Sequence, residues 1–192
     1  MKNVIFAGVG GQGVILASKI LMEVAMNAGY DVKESEVHGM AQRGGSVDCN
    51  VRYGDKVYSP LIPREEADFI VSLETLEVVR KLDYLAPDGT LIVNMEQVNP
   101  APVETGVMKY PPDIREWVGK NVKNALFVDT SPVLKEVGTR KALNIVMLGV
   151  LSNRLEFTEE QWEKAIRSLV KEKFIDMNLK AFKMGRELMA SA

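Results

Sequence analysis

Two polar, glycine-rich stretches in the first quarter of the chain carry residue types that bind anions. Residues 8–13 read GVGGQG, and residues 36–46 read EVHGMAQRGGS. Glycines leave backbone N–H groups open to close approach, and a helix that starts beside them adds the positive end of its dipole. The two stretches therefore predict a site for an anionic ligand, or for another protein that carries one.

The first stretch has the glycine spacing of a dinucleotide-binding turn. Gly8, Gly10 and Gly13 match G-x-G-x-x-G between a predicted strand and a predicted helix. This placement lets a pyrophosphate meet the N-terminus of the helix. The same glycines also suit a purely structural role, in which they let the helix pack closely on the sheet. The sequence leaves the two interpretations open.

A free-standing NAD(P)-binding Rossmann oxidoreductase is therefore one alternative function. It would use Glu34 or Glu36, near the end of the second predicted strand, to bind the ribose. Gly11 and Gln12 are less typical of dinucleotide binders. The additional glycine indicates a different ligand or a close contact with another protein.

The second stretch offers side-chain donors beside a glycine pair. Arg43 has a planar guanidinium that fits phosphate or carboxylate, and Gly44 with Gly45 can form a backbone nest for an anion. Gln42 can bond an amide or a carbonyl, and Ser46 follows the glycines. A second anion site is predicted here, with an ordinary surface ion pair as the alternative for Arg43.

His38 is the only histidine, and so the only side chain that titrates near neutral pH without perturbation. A catalytic histidine needs a partner acid or nucleophile, and Glu36, two positions away on a strand, need not reach it. A structural or interface hydrogen-bonding role for His38 therefore stands beside a catalytic one.

Metal and covalent chemistry have little support in the sequence. The single cysteine, Cys49, excludes an internal disulfide and any four-cysteine zinc or iron–sulfur site within the chain. Cys49 lies on the apolar side of an alternating stretch, so we predict a packed thiol. No Walker A lysine, nucleophile elbow or CxxC pair occurs, so the chain lacks a complete catalytic set of its own.

The elements that must position these residues alternate between strands and helices. Strands are predicted over 2–7, 31–37, 46–53, 67–73, 90–94 and 125–129, and helices over 14–28, 75–82, 114–120, 132–137, 141–151, 158–170 and 174–189. This order predicts an α/β fold of three layers, with a mainly parallel, Rossmann-like sheet and a helical C-terminal third.

Local signals add detail to this plan. Strand 46–53 alternates apolar and polar residues, so we expect it to be half exposed, with a hairpin turn at Gly54-Asp55 into a strand at 56–58. Residues 87–89 are expected to form a turn. Helix-start signals are Ser131 as an N-cap and a capping box made by Thr158 and Gln161.

The whole chain sets further bounds. At 192 residues we expect one domain over 1–192. The net charge of −2 and the lack of an 18-residue apolar run predict neither a nucleic-acid nor a membrane partner. The first predicted helix is apolar over most of its circumference, so the sheet and a second element, or a subunit interface, must cover it.

The two N-terminal stretches together resemble the gamma domain of the 2-oxoacid:ferredoxin oxidoreductases, and most closely the small-subunit type of the indolepyruvate enzymes. The resemblance continues over nearly the whole chain. Its further matches are 58–63, 67–68, 84–85, Gly89, 93–94, 110–111, Asn144 and 148–149. The two stretches are specific in combination and depart nowhere clearly from the family pattern.

The resemblance implies a cytoplasmic enzyme of anaerobic type, of which this chain is an accessory subunit and inactive alone. Such an enzyme oxidatively decarboxylates an aryl-2-oxoacid to an aryl-acyl-CoA and passes the electrons to ferredoxin. Thiamine diphosphate, magnesium and iron–sulfur clusters are expected in a larger partner subunit, with CoA as co-substrate. The isolated chain could form a homodimer, and a purely structural partner subunit is a further alternative.

We hypothesise that residues 38–46 face the larger subunit near the thiamine–CoA site, with Arg43 as an anion contact. The density of anion-binding groups without a complete catalytic set motivates this hypothesis. The candidate site residues are Gly8, Gly10, Gly11, Gln12, Gly13, His38, Gln42, Arg43, Gly44, Gly45 and Ser46.

Overall fold

A computed structural model describes residues 1–39 and 44–188. Its strands are β1 Lys2–Val9, β2 Asp31–His38, β3 Ser46–Gly54, β4 Ala67–Ser72, β5 Leu85–Asn94 and β6 Ala125–Val128. Its helices are α1 Val14–Asn27, α2 Thr75–Val79, α3 Ala101–Glu104, α4 Ile114–Asn121, α5 Ser131–Val137, α6 Leu143–Ser152, α7 Glu159–Leu169 and α8 Ile175–Glu187. The alternation of strands and helices, and the helical C-terminal third, are confirmed.

The strands form one sheet in the order β2-β3-β1-β4-β5-β6. β1, β4, β5 and β6 pair in parallel, whereas β3 runs antiparallel to both of its neighbours. The prediction of a mainly parallel α/β sheet is therefore confirmed. Because β3 lies between β1 and β2, the unit β1-α1-β2 crosses over a strand instead of joining neighbours.

The register of β3 determines where the second glycine-rich stretch lies. β3 pairs with β1 from Lys2↔Tyr53 to Val9↔Ser46, and with β2 from Asp31↔Gly54 to His38↔Val47. β2 and β3 are therefore antiparallel neighbours that follow each other in the chain. Since Val9 is opposite Ser46, both stretches emerge at the same end of the sheet.

Apolar clusters lie on both faces of the sheet, as the three-layer prediction requires. One face packs against α1, α5, α6, α7 and α8, and the other against α2 and α4. α6 is buried at all ten positions, so it lies in the interior of the thicker helical layer. α1 is covered by α7 as well as by the sheet, which explains its nearly continuous apolar surface.

Two glycines allow α6 and α8 to cross closely. A Cβ at Gly149 would lie 2.3 Å from the carbonyl oxygen of Phe182, and a Cβ at Gly185 would lie 2.2 Å from that of Val146. Neither distance is compatible with a side chain, so the two backbones are in direct contact. The predicted capping box of Thr158 and Gln161 is present at the start of α7.

The predicted half-exposed strand is wrong, because both faces of β3 are covered. Asp48 is only 7% exposed and Arg52 only 8%. Arg52 donates to Oδ1 of Asn3 and to the carbonyls of Ser59 and Leu61, at 2.9, 3.2 and 2.7 Å. Partners distant in sequence therefore compensate for the burial of the charges, and alternation of polarity could not reveal that.

The predicted hairpin at Gly54 is also wrong, because β3 ends there and no strand forms over 56–58. Instead, the amide N–H of Val57 donates to Oδ2 of Asp31 at 2.9 Å, which fixes this segment beside the start of β2. Residues 87–89 lie within β5 rather than in a separate turn.

The N-cap of α5 is one residue earlier than predicted. The helix begins at Ser131, with Thr130 at the N-cap position. Asp129 accepts hydrogen bonds from the backbone N–H and the hydroxyl of Ser131, at 2.9 and 2.5 Å. Among the described residues, no helix has the length and apolar character that a membrane span needs.

Candidate functional site

The structure brings the two glycine-rich stretches together through their backbones. The N–H of Gly10 donates to the carbonyl of Gly45 at 2.8 Å, and the N–H of Gly44 donates to that of Gly10 at 3.4 Å. We call these three residues the glycine joint. It extends the β1–β3 ladder beyond Val9 and Ser46, at the carboxyl end of β1.

Two glycines of the first stretch serve internal packing. A Cβ at Gly8 would lie 2.8 Å from both Gln12 and Val14, and a Cβ at Gly13 would lie 2.7 Å from Nδ2 of Asn144. Asn144 also donates to the carbonyl of Gly13 at 3.1 Å. Contacts of the protein with itself therefore explain Gly8 and Gly13, which supports the packing interpretation at these positions.

Gln12 occupies the crevice where an open α/β sheet usually binds its ligand. Its Oε1 accepts from the N–H of Val9 at 2.9 Å, and its Nε2 donates to the carbonyl of Leu73 at 3.1 Å. These bonds join the ends of β1 and β4, from which the chain continues in opposite directions along the sheet. The Gln12 amide is thus engaged at both atoms by the protein itself.

Gly11 and Gly44 have the opposite character. Both adopt left-handed backbone conformations, with φ of 101° and 73°. Among residues 1–39 and 44–188, a Cβ at either position would meet nothing within 4 Å. Gly44 of the joint and Gly11 next to it therefore leave exposed backbone where another molecule could approach.

Ser46 links the joint to a carboxylate that the sequence analysis missed. Its hydroxyl donates to Oε2 of Glu77 at 2.5 Å, and Arg80 lies 3.2 Å from Oε1 of the same side chain. Glu77 is only 3% exposed. Burial raises the pKa of Glu77, although Ser46 and Arg80 act in the opposite direction.

A second missed carboxylate, Glu74, is the N-cap of α2. Its side chain accepts hydrogen bonds from four donors: the N–H groups of Leu76, Glu77 and Val98 and the hydroxyl of Tyr110. An acid just before a helix is a weak signal for an N-cap. Nothing local to the sequence indicates the contacts with Val98 and Tyr110, which come from a segment more than 20 residues away.

Part of the predicted second stretch lies outside the described residues. This applies to Met40, Ala41, Gln42 and Arg43, and to the side chain of His38. The predictions that Gln42 and Arg43 contact an anion, and that His38 has a polar role, stay predictions. Gly44, Gly45 and Ser46 are described and lie together at the joint.

The geometry gives no support to a ribose-binding acid on β2. Glu34 accepts a hydrogen bond from Ser18 on α1, and Glu36 lies 3.6 Å from Lys19. β3 separates β2 from β1, which places these acids about 10 Å from the strand that leads into the glycine turn. In a dinucleotide site the acid-bearing strand is the immediate neighbour of that strand.

Cys49 is a packed thiol, as predicted. It is fully buried in β3, and burial raises the pKa of Cys49 to about 12. Within residues 1–39 and 44–188, no group of three or more histidine, cysteine or acidic side chains is placed to hold a metal ion.

Two cavities of about 720 and 590 Å³ flank the carboxyl ends of β5 and β6, and both are lined in part by Met95. Next to the larger cavity, the buried Asn94 accepts from the hydroxyl of Thr130 at 2.9 Å and donates to the carbonyl of Leu73 at 3.1 Å. The carboxyl edge of the sheet is therefore closed at Gln12 and open at β5 and β6.

The fold and this edge define a Rossmann-like α/β subunit whose glycine joint is an open wall rather than a closed pocket. The family described as pyruvate ferredoxin/flavodoxin oxidoreductase matches residues 3–188, and the chain belongs to that family. The chain is 40% identical to "Indolepyruvate oxidoreductase subunit IorB" of Archaeoglobus fulgidus, covering 95% of this chain and 92% of the relative.

Two further similarities agree with this assignment. The protein of the same name from Thermococcus kodakarensis is 37% identical, over 95% of this chain and 93% of the relative. A solved structure of the keto/oxoacid ferredoxin oxidoreductase gamma subunit from Geobacter sulfurreducens superposes with a TM-score of 0.72 at 26% identity, and each chain is covered completely. The family that the sequence was found to resemble and the predicted Rossmann-like fold are thus confirmed.

Proposed function

We propose that the chain is the small subunit of a 2-oxoacid:ferredoxin oxidoreductase that acts on an aryl-2-oxoacid of the indolepyruvate type. In this reaction the oxoacid and CoA give an acyl-CoA and carbon dioxide, and two electrons pass to ferredoxin. The names of the relatives from Archaeoglobus fulgidus and Thermococcus kodakarensis support the indolepyruvate type. The likeness to a gamma subunit supports the broader class.

The observation that carries this proposal is the glycine joint. It presents the open backbone of Gly11 and Gly44 at the carboxyl edge of the sheet, while the neighbouring crevice is filled by Gln12. A wall of this kind suits a site that a second chain completes. We therefore assign the joint to the contact with a larger subunit, beside the site where the oxoacid and CoA react.

The cofactors belong to the larger subunit in this proposal. Thiamine diphosphate, bound with magnesium, would supply the decarboxylation there, and iron–sulfur clusters would carry the electrons. The one cysteine of this chain, Cys49, does not fit a cluster, because it supplies one thiolate where a cluster takes four. This chain contributes the exposed backbone of Gly11 and Gly44 and the shape of the wall.

The test is to co-express the chain with the larger subunit and to measure ferredoxin reduction that depends on both CoA and the oxoacid. Indolepyruvate should be the preferred substrate over pyruvate, 2-oxoglutarate and 3-methyl-2-oxobutanoate. The chain alone should be inactive. NAD(P)-dependent activity of the isolated chain, or an assembled complex inactive with every oxoacid, would contradict the proposal.

Arg43 gives a sharper test of the predicted anion contact. Arg43→Ala should strongly reduce turnover of the complex while the subunit still folds and assembles. Arg154→Ala is a matched control, because Arg154 is exposed just beyond the C-terminus of α6, whereas Asn144 in the first turn of that helix contacts Gly13. Normal turnover of the Arg43 variant would exclude the contact.

A further inference from the structure

Glu77 holds two parts of the molecule with its two carboxylate oxygens. Oε2 accepts from the hydroxyl of Ser46, the first residue of β3, which follows the glycine joint directly. Oε1 is 3.2 Å from Arg80, just beyond the end of α2. The side chain of Arg80 is 48% exposed, whereas Glu77 is buried. The carboxylate therefore joins α2 to the joint through a single hydroxyl.

The burial of Glu77 has no explanation in the capping of α2. Glu74 performs that role, since it accepts from the first N–H groups of the helix and from two further donors. In the described part of the chain, Glu77 receives only Ser46 and Arg80 as side-chain donors. A buried carboxylate destabilises the folded state unless it is well paired. A helix that needed only packing would carry an apolar side chain at this position.

We propose that Glu77 is a positioning residue of the shared active site: through the hydroxyl of Ser46 it holds the glycine joint against α2, and so sets where Gly11 and Gly44 meet the larger subunit and its bound CoA. This inference rests on the proposed function. The joint is otherwise held to the rest of the chain by backbone contacts along β1 and β3. The Ser46–Glu77 hydrogen bond is thus the side-chain contact that fixes the joint relative to α2.

The experiment compares four variants of the assembled complex: Ser46→Ala, Ser46→Thr, Glu77→Gln and the double variant Ser46→Ala/Glu77→Gln. For each, the KM for CoA, kcat and the melting temperature of the complex are measured. Ser18→Ala is the matched control, since its hydroxyl also donates to a glutamate, Glu34, but beneath α1 and away from the joint.

Ser46→Ala should raise the KM for CoA about tenfold and lower the melting temperature, because a buried carboxylate loses its donor. Ser46→Thr keeps the hydroxyl and should restore both values. The double variant removes the charge as well, so its melting temperature should recover while its KM stays raised. Glu77→Gln keeps an acceptor of the same shape, so it should raise the KM for CoA only about threefold.

If the KM for CoA of the double variant returned to the wild-type value together with the melting temperature, Ser46 and Glu77 would have only a structural role. That result would overturn the inference. An unchanged KM in Ser46→Ala, or an equal effect of Ser18→Ala, would do the same. An inactive wild-type complex would instead overturn the proposed function. The positioning role is then judged by the affinity between the subunits, which Ser46→Ala must weaken and Ser18→Ala must not.

Discussion

Glycines occur at two places where the chain makes close approaches, and their surroundings are opposite. At the crossing of α6 and α8, Gly149 and Gly185 leave no room for even one methyl group, because a backbone lies directly against them. At the glycine joint, by contrast, a Cβ on Gly44 or on the adjacent Gly11 would meet no atom within 4 Å in the described part of the chain. The comparison separates glycines that the fold requires from glycines that it leaves available to a partner.

The largest effect is expected at the helix crossing. Gly185→Ala should destabilise the chain by about 3 kcal/mol or more, because its Cβ would overlap the carbonyl of Val146 and the helices must move apart. Chemical denaturation measures this. Gly119→Ala is the control: Gly119 is exposed on α4, its nearest neighbour would be 3.8 Å away, and alanine there should stabilise by up to about 1 kcal/mol. If both substitutions changed the free energy of unfolding equally, the close helix crossing would not explain the need for glycine at position 185.

An intermediate effect is expected at Gly13, which combines a positive φ of 82° with a close side chain. Gly13→Ala should cost about 2 kcal/mol, from backbone strain and from displacement of Asn144. In an Asn144→Ala background the additional cost of Gly13→Ala should be smaller, since the obstructing amide is absent. Strict additivity in this double-mutant cycle would show that Asn144 is not the obstacle.

Gly11 should respond in activity rather than in stability. Gly11→Ala should cost only about 1 kcal/mol in folding, because strain at φ of 101° is its sole penalty. Turnover of the assembled enzyme should nevertheless fall clearly. Gly29→Ala is the matched control, with φ of 92° and open space, but at the end of α1 away from the joint. If the two variants had equal turnover, the open position of Gly11 would have no more importance for activity than that of Gly29.

The smallest effect concerns pH. Because burial raises the pKa of Glu77 above its ordinary 4.5, the native state binds more protons than the unfolded state just above that pH. The contribution of Glu77 to the stability of the wild type should therefore fall as pH rises through this window, and the stability gain from Glu77→Gln should increase. Urea unfolding at several pH values from about 4 to 8 measures this difference.

Asp129 provides a control of opposite sign for the pH experiment. Hydrogen bonds from Ser131 hold the pKa of Asp129 below its ordinary value. The contribution of Asp129 to stability should thus be present above that value and be lost as pH falls, so Asp129→Asn should approach the wild type in acid. If the stability differences of Glu77→Gln and Asp129→Asn from the wild type changed with pH in the same way, the raised pKa of Glu77 would be contradicted.

The fold was predictable from the sequence where one segment carried its own signal. The strand before the glycine turn, the apolar α1 and the capping box at Thr158 all follow from local pattern. The exposure of β3 was not predictable in this way. Its polar face can be buried because Lys81 pairs with Asp48, and Asn3 and distant carbonyls accept hydrogen bonds from Arg52. A period of two in polarity cannot distinguish solvent from such partners.

The candidate site divides in the same way. The glycines and Ser46 were found from residue type and spacing, and the register of β1 and β3 brings them together. Glu77 could not be found, since its partner Ser46 lies 31 residues earlier in the chain and their contact depends on the placement of α2 over the sheet. Spacing likewise suggested a ribose-binding acid on β2, because the insertion of β3 between β1 and β2 has no local signature.

The contact between Asn144 and Gly13 has a consequence for hydrogen exchange. Asn144 lies in the first turn of α6, the helix buried at every position, so the glycine turn is tied to the part of the molecule that we expect to open last. The amides of Val9 and Gln12 should then exchange only through global unfolding. The amide of Gly44, bonded at 3.4 Å, should exchange through local opening. Slowly exchanging amides of the glycine turn would thus lie next to the rapidly exchanging amide of Gly44. Binding of the larger subunit should slow the exchange of the Gly44 amide and leave that of the Val9 and Gln12 amides unchanged.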